Sequence, residues 1–176
     1  MFLHMKKGFT LIEFMITFII IVVLASLAAP SFKTYFQKRE LDRIRFQLIQ
    51  NIHYARSQAI LHKNNIVLCP SANQRQCDSS AWNVGYLIYI DAKRNRSVDP
   101  EEIILKYESL DLKYGELYWY GALSTPSLTF QAKTGLLNGS NGTFYYCAQN
   151  LNHRYKIVLG RMVHPRIEQT TECKNS

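Results

Sequence analysis

Lys6-Lys7-Gly8-Phe9-Thr10-Leu11-Ile12-Glu13 opens an almost unbroken apolar run that closes at Ala29-Pro30-Ser31. The run Phe9–Ala29 is 21 residues long, close to the ~20 that a helix needs to cross the hydrocarbon core of a bilayer. It carries one carboxylate, Glu13, five residues past Gly8. A charge inside a bilayer span costs on the order of 3 kcal/mol or more, so a lone acid there needs a partner. Lys6 and Lys7 lie on the N-terminal side, which keeps residues 1–8 cytoplasmic and sends the rest of the chain outward. A secretory signal peptide would show a shorter apolar region ending in a small-residue cleavage site. Here the glycine comes before the run, and the span reads as one that is retained.

Beyond Pro30 the pattern stays helical. Leu41, Ile44, Leu48, Ile52, Ala55 and Ala59 recur at spacings of three and four and line one face. Arg39, Arg43, Arg45 and Arg56 mostly fill the other positions. Pro30 removes one backbone donor and is expected to kink the helix without ending it. From Phe9 to about Leu61 the helix would be roughly 80 Å long at ~1.5 Å per residue. Its first half is apolar all round; its second half is amphipathic and needs a globular partner on one stripe. Lys63-Asn64-Asn65 closes it.

From Ile66 the texture changes to short β-type runs between turn residues. Ile66–Cys69, Tyr86–Asp91, Ile103–Tyr107, Glu116–Tyr120, Leu128–Phe130, Thr143–Cys147 and Tyr155–Leu159 read as strands. Asn138-Gly139-Ser140-Asn141-Gly142 is a strong turn signal between two of them. The expected organisation is a leader at 1–8, a transmembrane helix at 9–29, its amphipathic continuation at 30–64, and a β-rich head at 65–176. The fold class is α+β, a long N-terminal helix packed on an antiparallel β-sheet domain.

Four cysteines, Cys69, Cys77, Cys147 and Cys173, fall in the part that faces an oxidising compartment. An even count there reads as disulfides, with three connectivities open. Cys69–Cys77 with Cys147–Cys173 is favoured, because each closes a short loop and the second pins the C-terminal tail. Zinc is the rival reading, but no C-x-x-C pair is present.

The net charge is +8 and falls to +6 once Lys6 and Lys7 leave with the leader. Residues 31–64 carry seven basic against two acidic groups, and 133–176 carry six against two. The stretch 65–132 carries six against eight. Basic groups just outside a span serve lipid headgroups equally well, so only the C-terminal excess points to a distal anionic ligand. Asp91, Asp99, Glu101 and Glu102 lack the alternating acidic spacing of a calcium loop and read as an acidic hairpin tip. No glycine-rich phosphate loop, paired-carboxylate motif or histidine beside a candidate nucleophile is present. No enzyme, cofactor or metal is expected.

The pattern Lys-Lys-Gly-Phe-Thr-Leu-Ile-Glu closely resembles the type IV prepilin signature. The resemblance implies a prepilin peptidase that cuts after Gly8 and methylates the new amine of Phe9. It also implies that Glu13 offsets the terminal ammonium of a neighbouring subunit in the filament, in keeping with the rule that buried opposite charges are tolerable only when paired.

A narrower likeness follows from Val67-Leu68-Cys69-Pro70-Ser71, Cys77, Trp82-Asn83-Val84-Gly85-Tyr86, Gly142-Thr143-Phe144-Tyr145-Tyr146-Cys147 and Ile157-Val158-Leu159-Gly160-Arg161. Their order resembles that of the GspH/FimT group of minor pilins and pseudopilins. Some members bind DNA through a C-terminal Gly-Arg-x-Arg motif during natural transformation. This chain matches Gly160-Arg161, but Val163 stands where the second arginine belongs, and Arg166 follows three residues later. The resemblance thus implies a tip-associated minor pilin; from the local positive charge, Arg154, Lys156, Arg161 and Arg166 are the expected DNA contacts, with Tyr145, Tyr146 and Tyr155 available to stack on bases. Implied partners are other major and minor pilins, the prepilin peptidase, the inner membrane and double-stranded DNA. The protein would reside in the inner membrane with its head in the periplasm, and then in a pilus at the cell surface. Two alternatives stay open: a minor pseudopilin of a type II secretion system, and a structural priming subunit that binds no DNA.

Overall fold

The computed structural model describes residues 10–137, 139–148 and 154–173, with no side-chain description for 27–31. The leader residues 1–8 and Phe9 lie outside the described residues. Two compact units are distinguished, Met1–Phe36 and Gln37–Ser176.

A single helix, α1, runs over Leu11–His62, 52 residues without a break at Pro30. In the first unit its apolar side chains, from Leu11 through Leu24, are exposed on every side, which a helix tolerates only against another apolar surface. Among the described residues no helix is long and apolar enough to cross a membrane. The apolar run is followed there only from Leu11 to Ser26; residue 9 and the side chains of 27–29, which complete the expected span, fall outside the description.

The second unit begins with the amphipathic half of α1. Leu41, Ile44, Leu48, Ile52, Ala55 and Ala59 are all buried, as their spacing predicts. The helix stops at His62, and Lys63 takes the left-handed conformation (φ 51°) that commonly ends helices. Eight strands follow among the described residues: β1 Asn65–Pro70, β2 Gly85–Asp91, β3 Ile104–Ser109, β4 Gly115–Gly121, β5 Leu128–Phe130, β6 Gly142–Ala148, β7 Tyr155–Leu159 and β8 Pro165–Gln169. They form two four-stranded sheets, ordered β3-β2-β1-β5 and β4-β6-β7-β8, antiparallel throughout.

The first seven strands sit where the β-type runs predict them. The eighth, Pro-Arg-Ile-Glu-Gln, was not anticipated: it opens on proline and is mostly exposed. An edge strand needs only one hydrogen-bonded side, which accommodates proline and polar residues alike.

The helix stripe and the inner faces of both sheets share one core, with Ile66, Leu68, Tyr86 and Phe130 from the first sheet and Leu117, Phe144 and Ile157 from the second. Sheet one is buried on its other face too, where Val67, Cys69, Leu87 and Tyr89 form a second cluster. That explains why β2 reads Gly-Tyr-Leu-Ile-Tyr-Ile-Asp without alternation, every residue being buried. Trp82 joins the sheets. Its ring meets Phe144 edge-on at 4.9 Å, and Phe144 meets Trp119 at 4.5 Å. Beside it, Asn83 Oδ1 accepts the Leu117 amide at 2.6 Å.

Candidate functional site

In the first unit the described end of α1 is a capping box. Thr10 donates from its backbone N–H and from its hydroxyl to Glu13 Oε2, each at 3.0 Å, and the Glu13 amide donates back to Thr10 Oγ1 at 3.4 Å. The lone carboxylate therefore already has a partner within its own chain. Gly8 and Phe9, the expected processing residues, lie outside the described residues.

In the second unit, β7 and β8 form a hairpin across residues 160–164. Ile157 and Leu159 face the core, so Lys156 and Val158 face outward. Cross-strand register sets Lys156 opposite Glu168 and Val158 opposite Arg166. On β6 the same outward face carries Thr143 and Tyr145, opposite Val158 and Lys156, and on β4 it carries Tyr118 and Tyr120. The outcome is a tyrosine-lined face bordered by cations. Tyr120 and Tyr145 meet edge-on at 5.5 Å. The Tyr118 hydroxyl donates to Glu116, which pushes its phenol up to about 12.

The four expected DNA contacts separate on this frame. The Arg154 guanidinium donates to the carbonyls of Ala148 (3.3 Å) and Thr171 (3.2 Å), holding the C-terminal segment. Lys156 Nζ lies 3.0 Å from Glu168 Oε2, and that hydrogen bond holds its ammonium above the usual lysine range. Arg161, in the hairpin loop, and Arg166, on β8, are exposed and form no ion pair among the described residues. Of the three tyrosines expected to stack, Tyr145 alone faces outward from β6. Tyr146 is buried with its hydroxyl 2.7 Å from Glu40, and burial pushes that phenol well above its ordinary value. Tyr155 packs against the core, and its hydroxyl accepts from Gln169 Nε2 at 3.1 Å.

Val163 explains the broken Gly-Arg-x-Arg pattern. It is fully buried in the main core, in a left-handed backbone conformation (φ 59°), with its amide donating to the Gly160 carbonyl at 3.0 Å. A β-branched residue there costs on the order of 1–3 kcal/mol of strain, which the buried side chain offsets by filling the core beneath the turn. The position points inward, so a cation there would meet apolar atoms and no phosphate.

Both expected disulfides are present, Cys69–Cys77 and Cys147–Cys173, with Cα–Cα distances of 5.6 and 5.8 Å. All four thiols are thereby consumed and the zinc alternative falls. Asp91 departs from the acidic-tip expectation: it is 1% exposed, and its carboxylate accepts the amides of Asn95 (3.0 Å) and Arg96 (3.2 Å) to shape the β2–β3 loop.

Buried polar anchors on α1 escaped the sequence reading. Glu40 accepts the amides of Lys113 (2.8 Å) and Tyr114 (3.1 Å) besides the Tyr146 hydroxyl. Asn51 donates to Tyr86 Oη (2.7 Å) and Glu108 Oε2 (3.2 Å) and accepts from Lys106 Nζ (2.8 Å). Their signal was available: Gln37, Glu40 and Asn51 fall at helical spacing on the apolar stripe itself, where a polar residue needs a partner.

A helix laid along two antiparallel sheets, with both disulfides inside the head, is the architecture of a pilin-type structural subunit. The chain belongs to the family described as Type II transport protein GspH, whose model matches residues 47–162. The prokaryotic N-terminal methylation motif matches residues 3–29. Two crystal structures of the type IV minor pilin FimU from Pseudomonas aeruginosa strain PAO1 share the fold. One is 17% identical, with a TM-score of 0.58, covering 81% of this chain and 98% of that one. The other is 19% identical, with a TM-score of 0.51, covering 74% and 94%. No curated protein matches the chain in sequence.

Proposed function

We propose that this protein is a minor type IV pilin, built into a filament through its N-terminal helix, whose head contacts double-stranded DNA during uptake for natural transformation. The observation that carries the DNA reading is the state of Arg161 and Arg166. Both are exposed and form no ion pair among the described residues, beside a face lined by Tyr118, Tyr120 and Tyr145. Arginine grips phosphate through paired, charge-assisted hydrogen bonds, and such contacts need no reading of bases. Lys156 and Arg154 shape this surface from within their own contacts to Glu168, Ala148 and Thr171.

In the precursor the protein would sit in the inner membrane, with Gly8 and Phe9 as the processing site and other pilins as partners. Glu13 would exchange its Thr10 contacts for a neighbour's terminal ammonium on assembly. Gly8→Ala should leave the leader attached, visible as an unchanged N-terminal sequence, and Glu13→Ala should be depleted from isolated fibres. Normal entry of the latter into fibres would refute the assembly role.

The DNA role is tested by a gel-shift of the full chain in uncharged detergent on labelled duplex, at two salt concentrations. Binding should fall steeply with salt, and Arg161→Ala with Arg166→Ala should reduce the log–log salt slope by about 1.8, at ~0.9 per phosphate contact. No retardation at low salt would remove the DNA role. The matched family's description favours a second reading, a minor pseudopilin contacting exported protein. Failure to shift duplex, together with co-purification of a secreted protein, would select it.

A further inference from the structure

We infer that a groove at the C-terminal end of α1 is a second phosphate-contact surface that continues the hairpin's hold on duplex DNA; the inference rests on the DNA reading above. The groove encloses about 640 Å³ and is lined by Lys63, Arg94 and Lys133, with Ile60, Gln131 and Thr134 beside them. Its three cations come from three separate places, the residue ending α1, the β2–β3 loop and the β5–β6 loop. Among the described residues no carboxylate lines it, and none of the three forms an ion pair there. Lys93, next in the chain, differs: its ammonium lies 3.6 Å from Asp99 and 3.8 Å from Glu101.

Electrostatics at this end favour an anion. The exposed carbonyls closing a helix carry roughly half a negative charge, so three converging cations leave a clear positive excess. Gln131 and Thr134 add neutral hydrogen-bonding groups.

The groove and the hairpin are also tied together. The Gly135 amide donates to the Gln131 carbonyl at 2.8 Å, turning the β5–β6 loop at Lys133, and the Leu137 amide donates to the Arg161 carbonyl at 3.1 Å. Lys133 is four residues from Leu137, a chain distance of at most about 14 Å. The backbones joined by that hydrogen bond lie ~5 Å apart, and phosphates along one strand advance ~3.4 Å per nucleotide, so Lys133 and Arg161 fall within about six base pairs. A single duplex can engage both.

The test uses the full chain in uncharged detergent, so that all phosphate comes from a fluorescently labelled 20-base-pair duplex titrated by anisotropy across a salt series. Lys63→Gln, Arg94→Gln and Lys133→Gln combined should lower the log–log salt slope by about 2.7, at ~0.9 per contact. A charge-matched control, Lys33→Gln with Lys38→Gln and Lys113→Gln, should leave that slope near the parent's. If parent and hairpin variant behave as proposed above while the groove variant keeps the parent's slope, this inference is overturned and the DNA role stands. An equal loss in the control would also overturn it, by showing a diffuse field and no site. So would a groove variant that loses adhesion to anionic vesicles yet binds duplex as the parent does. A parent that binds no duplex removes both readings together.

Discussion

Replacing Glu40 should uncouple the head's second sheet from the helix, and the structure sets the size of the effect. The carboxylate is 8% exposed and accepts three hydrogen bonds, from the Lys113 and Tyr114 amides and the Tyr146 hydroxyl. Hydrogen bonds to a charged group contribute ~1.5–3 kcal/mol each, and a buried donor left unpaired costs about as much. The two amides lie in a half-buried loop, where water can replace part of the loss, whereas the Tyr146 hydroxyl lies in the buried core. Glu40→Ala should therefore cost about 3 kcal/mol, or roughly 6–12 °C in melting temperature for a chain of this size. Glu40→Gln keeps one acceptor oxygen but turns an NH2 toward an amide donor, and should lose about half as much. Near-ultraviolet circular dichroism of the full chain in detergent reports the transition through the Trp82, Trp119 and Phe144 cluster, which belongs to the head alone. A Glu40→Gln melting point within about 1 °C of the parent would show that the carboxylate is not an anchor.

Removing the tail disulfide (Cys147→Ser with Cys173→Ser) should cost about 3.5 kcal/mol and removing Cys69–Cys77 about 2.5, since loop entropy grows with the 26- and 8-residue separations. Urea unfolding ranks the two, and a larger loss for the shorter loop would contradict the entropic account. Glu108 is partly buried, which opposes its charge, yet the hydrogen bonds from Lys106 and Asn51 outweigh this and hold it below its ordinary 4.5. Its contribution is thus present above pH 4.5 and lost as pH falls through the lowered value. Glu108→Gln should flatten the acid limb of a stability–pH curve, and an unchanged limb would exclude this group. Val163→Arg, although it completes the Gly-Arg-x-Arg pattern, should lower the melting point and fail to raise duplex affinity, because the side chain points into the core; a stable, tighter-binding variant would overturn that placement.

Much of this molecule follows from local pattern. The stripe Leu41 to Ala59 is legible because helical periodicity is a property of neighbouring residues, and the same holds for seven strands and the cysteine pairs that close short loops. The lone Glu13 stands out for an equally local reason, since any charge in so apolar a run demands a counterpart. Only the tertiary structure decided which cations are available. Arg154 holds Ala148 and Thr171, Lys156 holds Glu168, and Val163 is turned under the hairpin, while Arg161 and Arg166 stay exposed. Lys63, Arg94 and Lys133 are separated by tens of residues and converge only once the loops at one end of the helix are packed together. Charge in a sequence is a sum over residues, whereas binding depends on where side chains point and what neutralises them, and those are set by contacts between residues far apart in the chain.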